Sequence, residues 1–349
     1  MTVSGSNRTV GMGRCFSLHA CAFRGTGQGE DYILPFIGEK IMKTIGIIVN
    51  ANAKMVRRGR LSLDLIRQIG SDMVDLRVTK DFNELDTALR DFRREDYPYI
   101  AIAGGDGTIH HTVTRAMNIY GEGGLPQVLL LKGGTMDNVA RSVGLRGSST
   151  EILSRMMMTI RRGREPEERV RGTMKIENRY CSLFGIGFVI NFMHECYGGR
   201  EKGTLQNCKA IGKAIRHALH EPSVGSLYEG LEAEVTVDGG TLSFTYITAI
   251  LAGTVEGVGM GFNPLSKSTR SPESFHALIT GMNGRQILSR ILSLKQGWEI
   301  RHPLVCDAVA QNLRIEAKAR FTYTMDGDFY ESSGSCLVTA GPRIRYLYV

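Results

Sequence analysis

Tyr99-Ile100-Ala101-Ile102-Ala103-Gly104-Gly105-Asp106-Gly107-Thr108-Ile109-His110-His111 is the stretch on which the reading of this chain turns. Ile100 and Ile102 among small alanines suit a short strand covered on both faces. Gly104, Gly105 and Gly107 then let the backbone turn sharply and approach a ligand closely. A helix start follows, and its unpaired N–H groups and positive dipole end favour an anion such as phosphate. Asp106 lies inside this loop, where a bare carboxylate would repel phosphate. A bound cation or a polar network is therefore expected to hold it. Glycine turns also follow most strands of doubly wound proteins. Here the Gly-Lys-Ser/Thr of a P-loop is absent, and so is the spacing of a dinucleotide fingerprint.

The flanking segments repeat the theme. Thr44–Asn50 reads as a strand ending in a polar loop that leads to the basic run Arg57-Arg58-Gly59-Arg60, which reads as a solvated loop able to meet phosphate. Leu61–Ile69 and Phe82–Arg93 space apolar residues as amphipathic helices, with a short strand Asp75–Thr79 between them. Ile109 to Asn118 continues as a helix. Gln127–Leu131 is a fully apolar strand that runs into Lys132-Gly133-Gly134-Thr135-Met136-Asp137-Asn138, a second strand–glycine turn–helix unit with Thr135 as N-cap or phosphate hydroxyl. Two such loops are able to face one crevice at the carboxyl ends of a parallel sheet. A helix from Thr150 to Arg162 follows.

Near 163–168 the charge density rises, and a domain boundary is expected there. Beyond it, Val170–Ile176, Glu232–Val237, Leu242–Ile247 and Leu313–Tyr323 alternate as antiparallel strands, with Gly239-Gly240 as a hairpin turn. Leu205–His220 and Arg285–Leu294 read as helices. The tail carries Met325-Asp326-Gly327-Asp328-Phe329, in which the two aspartates would project to one side if extended, or sit in a hairpin turn. Ser335–Ala340 and Arg343–Val349 are expected to complete the sheet.

The 349 residues suffice for two domains, and 42% hydrophobic content suits a globular protein. A net charge of +8 fits anionic substrates, an anionic membrane surface or simply a basic surface. No zinc-finger spacing or RNA-binding aromatic signature is present, so nucleic acid is not an expected partner. No apolar run reaches the roughly 18–20 residues that span a bilayer. Seven scattered cysteines without a Cys-x-x-Cys pair fit reduced thiols in a cytoplasm. Residues 1–41 lack periodicity and read as a disordered leader.

The three polar clusters, in this order, resemble the diacylglycerol kinase catalytic family in its bacterial lipid-kinase branch, over roughly residues 43–349. Gly104–Thr108 matches its Gly-Gly-Asp-Gly-Thr. Gly134-Thr135 with Ala140-Arg141 resembles its second turn, Gly185-Ile186-Gly187-Phe188 its second-domain glycine pair, and Asp326-Gly327-Asp328 its Asp-Gly-Glu. The resemblance implies an α/β fold: a doubly wound parallel-sheet nucleotide domain (42–165), a β-sandwich lipid domain (166–325) and a catalytic tail (326–349), with the site in the cleft. It implies ATP and Mg²⁺ as cofactors and transfer of the γ-phosphate to a lipid hydroxyl. It also implies phosphate binding by Gly104, Gly105, Asp106, Gly107, Thr108, Ile109 and His110, with Asn50, Thr79, Gly134 and Thr135 completing the nucleotide pocket. Asp326 would be the general base, with Asp106 beside it in the catalytic set, and Asp328 would hold Mg²⁺ or orient the base. Peripheral contact with a membrane is expected, and the oligomeric state stays open, a homodimer included.

The chain departs from the family at Ala51 (usually Pro), at His110-His111 (usually Asn-Glu), at Asp137-Asn138 (reversed) and at Asp328 (usually Glu). The acidic loop that binds a structural Mg²⁺ in some members would fall near Pro264–Phe275, where only Glu273 is acidic, so that site is not expected here. The two histidines read as surface residues of a modified helix start, the sharper alternative being new catalytic groups. The competing functional readings are a soluble-metabolite kinase resembling NAD kinase and a non-catalytic lipid- or nucleotide-binding relative.

Overall fold

The structure is a computed structural model that describes residues 44–57, 59, 61–133, 137–197, 212–218 and 227–349. The expected leader 1–41, most of the expected helix 205–220, and Gly134 and Thr135 lie outside the described residues.

The first sheet is built from β1 (Ile45–Asn50), β2 (Val74–Thr79), β3 (Tyr99–Gly104) and β4 (Gln127–Lys132), parallel and in the order β2-β1-β3-β4. Its apolar strands are covered on both faces, as near-continuous Ile, Val, Leu and Ala runs require. α2 (Leu63–Gly70), α3 (Phe82–Arg94), α4 (Asp106–Tyr120) and α6 (Ser149–Arg161) connect or flank the strands. In α3, Leu85, Ala88, Leu89 and Phe92 form the buried stripe, and Asp81 caps the start by accepting the N–H groups of Asn83 and Glu84. The register pairs Asn50 with Thr79 and Gly104 with Lys132, so the carboxyl ends of the four strands lie level.

Two further strands extend this sheet: β19 (Ile344–Tyr348) beside β4, and β5 (Glu167–Arg171) antiparallel to β19. The expected strand Val170–Ile176 is thus two strands. It breaks at Gly172–Thr173, and the second half, β6 (Met174–Ile176), enters another sheet. The tail divides likewise: β18 (Ser335–Ala340) lies in the second sheet and β19 in the first, so the two closing segments do not complete one sheet.

The remaining strands form two sheets. One runs β10 (Gly240–Thr241), β9 (Leu231–Val237), β15 (Asn312–Ala317), β18, β6 and β7 (Arg179–Cys181), with β11 (Tyr246–Ile247) on β9. The other runs β14 (Val305–Ala310), β13 (Phe275–Thr280), β12 (Ala249–Gly253), β8 (Leu183–Gly187), β16 (Phe321–Met325) and β17 (Asp328–Ser332). Val235, Leu313, Ile315 and Val338 from the first face meet Phe184, Ile250, Phe275 and Tyr323 from the second in one buried cluster. That is a β-sandwich. The expected run Leu313–Tyr323 is broken at the exposed Lys318-Ala319-Arg320, where the chain changes sheets. Of Leu242–Ile247 only Tyr246–Ile247 is a regular strand, although the Leu242 N–H and the Thr245 carbonyl also bond to β9, and the expected helix 285–294 is two short helices, Gly284–Ser289 and Ile291–Gln296, divided at Arg290.

α7 (Phe188–Tyr197) follows β8. Phe188 stacks on Tyr228 with ring centroids 4.7 Å apart, part of a small apolar cluster with Met282 and Ile287.

Candidate active site

In the order β2-β1-β3-β4, the chain reverses direction of travel between β1 and β3, which leaves a crevice at their carboxyl ends. Asn50 ends β1, and its side-chain N–H₂ donates to Thr108 Oγ1 at 3.2 Å across that crevice. Thr79, buried at the end of β2, supports this edge through its carbonyl, which accepts from the Ala51 N–H at 2.9 Å. Gly104 has to be glycine for α4 to start where it does: a Cβ there would lie 2.4 Å from Thr108 Cβ. Gly133 must be small too, because its Cβ would meet the Gly104 backbone at 2.8 Å.

α4 begins at Asp106 with extended Gly105 as its N-cap and no side-chain cap. The early N–H groups of this 15-residue helix therefore stay available for an anion. The Ile109 N–H bonds to the Gly105 carbonyl and the Ile109 side chain is buried in the core, so Ile109 contributes no free donor.

The sandwich lays a hairpin over this loop. β16 and β17 are joined by Asp326-Gly327, both at positive φ (48° and 103°), the pattern of a type I′ turn. The Asp-Gly-Asp segment is therefore not extended, and the two carboxylates diverge. Asp326 turns inward. Its oxygens accept the Leu183 N–H at 2.8 Å and the Ser182 N–H at 3.0 and 3.1 Å, and the side chain is only 5% exposed. Asp328 stands over the loop, its Oδ2 3.9 Å from where a Cβ on Gly107 would be, and pairs with His111 Nε2 at 2.9 Å. The His111 hydrogen bond holds the Asp328 carboxyl below its ordinary range, against the opposing effect of burial.

His110 is not a surface residue. It is buried, with Nδ1 2.9 Å from the Tyr180 carbonyl and 3.4 Å from Asp326 Oδ2, and Nε2 3.0 Å from the Tyr330 hydroxyl. Two acceptors face Nδ1, which assigns the ring proton there and leaves the Nε2 lone pair facing Tyr330. Burial would lower the pKa of His110, but the Asp326 hydrogen bond and the charges of Asp326 and Asp328 outweigh it and the net shift is upward. Thr114, one turn on, both donates to the Tyr180 carbonyl and accepts its N–H, which clamps α4 to β7.

Asp106 is the under-bonded member of the group. Oδ2 accepts the Asn138 N–H at 3.2 Å, whereas buried Oδ1 has no hydrogen-bond partner. Burial pushes its pKa from 3.8 to about 6, with the charges of Asp326 and Asp137 adding to the rise and the backbone hydrogen bonds from Asn138 and Val139 opposing it. Asn138 opens α5 (Asn138–Val143) and also lines a cavity of about 120 Å³ with Arg141, Glu256 and Asn263.

The structure thus brings together Asn50, Thr79, Gly104, Gly105, Asp106, Gly107, Thr108, His110, Asp326 and Asp328 at one edge of the first sheet. Sequence reasoning passed over Tyr180, Ser182 and Tyr330. Tyr330 had a signal, since it lies two residues after Asp328 on one strand and so shares its face. Ser182 and Tyr180 act through their backbones and had none.

Residues 44–165 match the model of the diacylglycerol kinase catalytic domain. That segment belongs to the diacylglycerol kinase catalytic-domain family. Three solved structures of Bacillus anthracis proteins share the fold, each aligning over 89% of this chain and 98% of its own. Two are provisionally assigned as diacylglycerol kinases, at 15% identity with a TM-score of 0.66 and at 14% with 0.63. The third is described as a diacylglycerol kinase, at 13% with 0.59. Identities this low establish the fold alone. Among curated proteins, none matches the chain in sequence. The catalytic-domain match supports a kinase of the lipid-kinase kind, and a kinase domain implies use of ATP in general. Among the described residues no helix is long and apolar enough to cross a membrane.

Proposed function

We propose that the protein is an ATP-dependent kinase that transfers the γ-phosphate to a hydroxyl of a lipid alcohol, diacylglycerol or a relative. The observation that carries this reading is the meeting of the α4 start, which lies inside the catalytic-domain match of residues 44–165, with the Asp326–Asp328 hairpin, which lies beyond it. In it, the N–H groups at the start of α4 receive the phosphates, with Asn50 orienting Thr108. Gly134 and Thr135 lie outside the described residues.

The proton of the acceptor hydroxyl goes to Asp106. Asp326 was the sequence-based choice, but its oxygens are taken by three N–H contacts and by His110. Asp106 keeps an uncommitted oxygen and a pKa of about 6, close to the value a base needs near neutral pH. Asp326 acts as a positioning residue that fixes the Ser182–Leu183 backbone and His110. The family also implies Mg²⁺. Mg²⁺ takes oxygen ligands almost alone, whereas Asp328 stands among two imidazoles. That group does not fit Mg²⁺, and no step is assigned to the ion there.

The lipid surface is met through the helix Ile291–Gln296 and the turn after it. Leu292 and Trp298 are 66% and 64% exposed, with Arg290, Lys295 and Arg301 around them and Glu299 already bridged to Lys267 and Arg301. Trp with basic neighbours is an interfacial anchor for anionic lipid. Trp298 is the sole tryptophan of the chain, so a blue shift of its emission on phosphatidylglycerol vesicles, absent on phosphatidylcholine, reports this contact directly. An unchanged spectrum on both would remove this surface from the reading.

The kinase reading is tested by transfer of label from γ-labelled ATP into a panel of lipid alcohols in mixed micelles, with Mg²⁺ and Mn²⁺ supplied in parallel. Labelled lipid identifies the acceptor, and Asp106→Asn should lose at least about a hundredfold in turnover. ATP binding without labelled lipid would overturn the reading in favour of a soluble acceptor or a non-catalytic relative.

A further inference from the structure

We propose that His110, His111 and Asp328 bind a borderline divalent metal ion, of the Zn²⁺, Co²⁺ or Mn²⁺ kind, in preference to Mg²⁺. The inference concerns the metal alone and stands whether or not the chain is a kinase. One donor atom from each of the three side chains lies within 4.8 Å of the other two. His111 Nε2 and Asp328 Oδ2 are 2.9 Å apart. Two ligands at about 2.1 Å from one ion are separated by about 3.0 Å at a right angle and about 3.4 Å at the tetrahedral angle. The pair is therefore close to ligand spacing, and a His110 donor lies within 4.8 Å of both, near enough to join them after a small adjustment.

The surroundings of His110 support the assignment. Its Nδ1–H faces the Asp326 carboxylate and the Tyr180 carbonyl. A carboxylate or carbonyl behind the ring is how metal-bound histidines are oriented, since it fixes the tautomer and presents the other nitrogen's lone pair. That nitrogen, Nε2, now takes the Tyr330 hydroxyl at 3.0 Å, and the hydroxyl is the group that gives way to the ion. A surface ion pair would explain His111 and Asp328 alone. It would not explain a second imidazole, buried and backed by a carboxylate, at the same point. Two nitrogens and one oxygen favour borderline ions over Mg²⁺, and three protein donors leave positions for water or a phosphate oxygen. The resemblance adds a parallel: these are the two positions where His-His stands in place of Asn-Glu.

The test uses the full chain, stripped with chelator and without nucleotide. Titration with Co²⁺ should give d–d absorption saturating at one site, displaced by Zn²⁺ but not by a hundredfold excess of Mg²⁺. His111→Ala and Asp328→Asn should each weaken binding at least about tenfold with unchanged circular dichroism. Asp326→Asn should weaken it about 10- to 100-fold through His110 and shift the Co²⁺ bands. Absence of a saturable Co²⁺ spectrum would overturn the proposal. So would equal affinity in the His111 and Asp328 variants, which would point to Cys15, His19 or Cys21, or displacement by Mg²⁺ at comparable concentration. Failure of lipid phosphorylation leaves this result unaffected, because no turnover is read.

Discussion

Asp106 and Asp307 are both carboxylates set inside the molecule, and their surroundings treat them in opposite ways. Asp307, on β14, meets His276 Nε2 at 2.7 Å, Lys267 Nζ at 2.8 Å and the Ile300 N–H at 3.2 Å. Burial alone would raise its pKa, but these partners outweigh burial and hold it well below the carboxylate range. Asp106 is buried against one clear N–H donor and two further carboxylates, with an oxygen left bare, and burial pushes its pKa up to about 6. A satisfied carboxylate stabilises the sandwich, whereas an unsatisfied one costs stability and leaves a base available for chemistry.

The sharpest break of this comparison is Asp307→Asn. It leaves Lys267 and His276 facing a neutral amide, and a buried pair that loses one partner is expected to cost about 3 kcal/mol, read as a fall in urea midpoint at pH 7. Asp307 is depressed, so its contribution is present above the unfolded pKa and is lost as pH falls. The deficit of the variant should therefore shrink below pH 4, near the ordinary value of 3.8. An equal deficit at pH 3 and pH 7 would show that packing, not charge, sets it.

Next comes the turnover of Asp106→Asn, with its loss of at least about a hundredfold. Wild-type kcat/KM should climb with pH through about 6 as Asp106 ionises, and the variant should lack that limb. A limb retained in Asp106→Asn but lost in Asp326→Asn would return the base to Asp326.

The smallest effect is the stability of Asp106→Asn. The raised pKa means that the folded state binds the extra proton, so wild-type stability falls as pH rises from 3.8 to about 6 and the full penalty persists above. A rise from 3.8 to about 6 corresponds to about 3 kcal/mol. Weaker acceptance from the Asn138 and Val139 N–H groups offsets part of it, so the variant should be about 1–2 kcal/mol more stable than wild type at pH 8 and no better at pH 4. No gain at pH 8 would mean that Asp106 Oδ1 is satisfied in solution.

Much of the first domain could be read from local pattern. Apolar strands, helix periodicity and the glycine turn after β3 are set within about ten residues of each other, and Asn50, Thr79 and Gly104 fall at strand ends for the same reason. The sandwich strands were legible as strands but not as members of a sheet, because alternation marks a buried face without saying which partner covers it. Gly172–Thr173 and Lys318–Arg320 are where that distinction mattered.

The sequence by itself determined that a phosphate-type loop carries Asp106 and two histidines, and that an Asp-Gly-Asp follows far along the chain. Only the tertiary structure decided which of those groups meet and how each is held. His110 meets Tyr330 across 220 residues, and Asp326 meets Leu183 across 143. The paired positive φ angles of Asp326 and Gly327 turn one carboxylate inward and leave the other over the loop. Burial and hydrogen-bond supply set the charge and reactivity of each carboxylate, and both are properties of neighbours that only folding brings together.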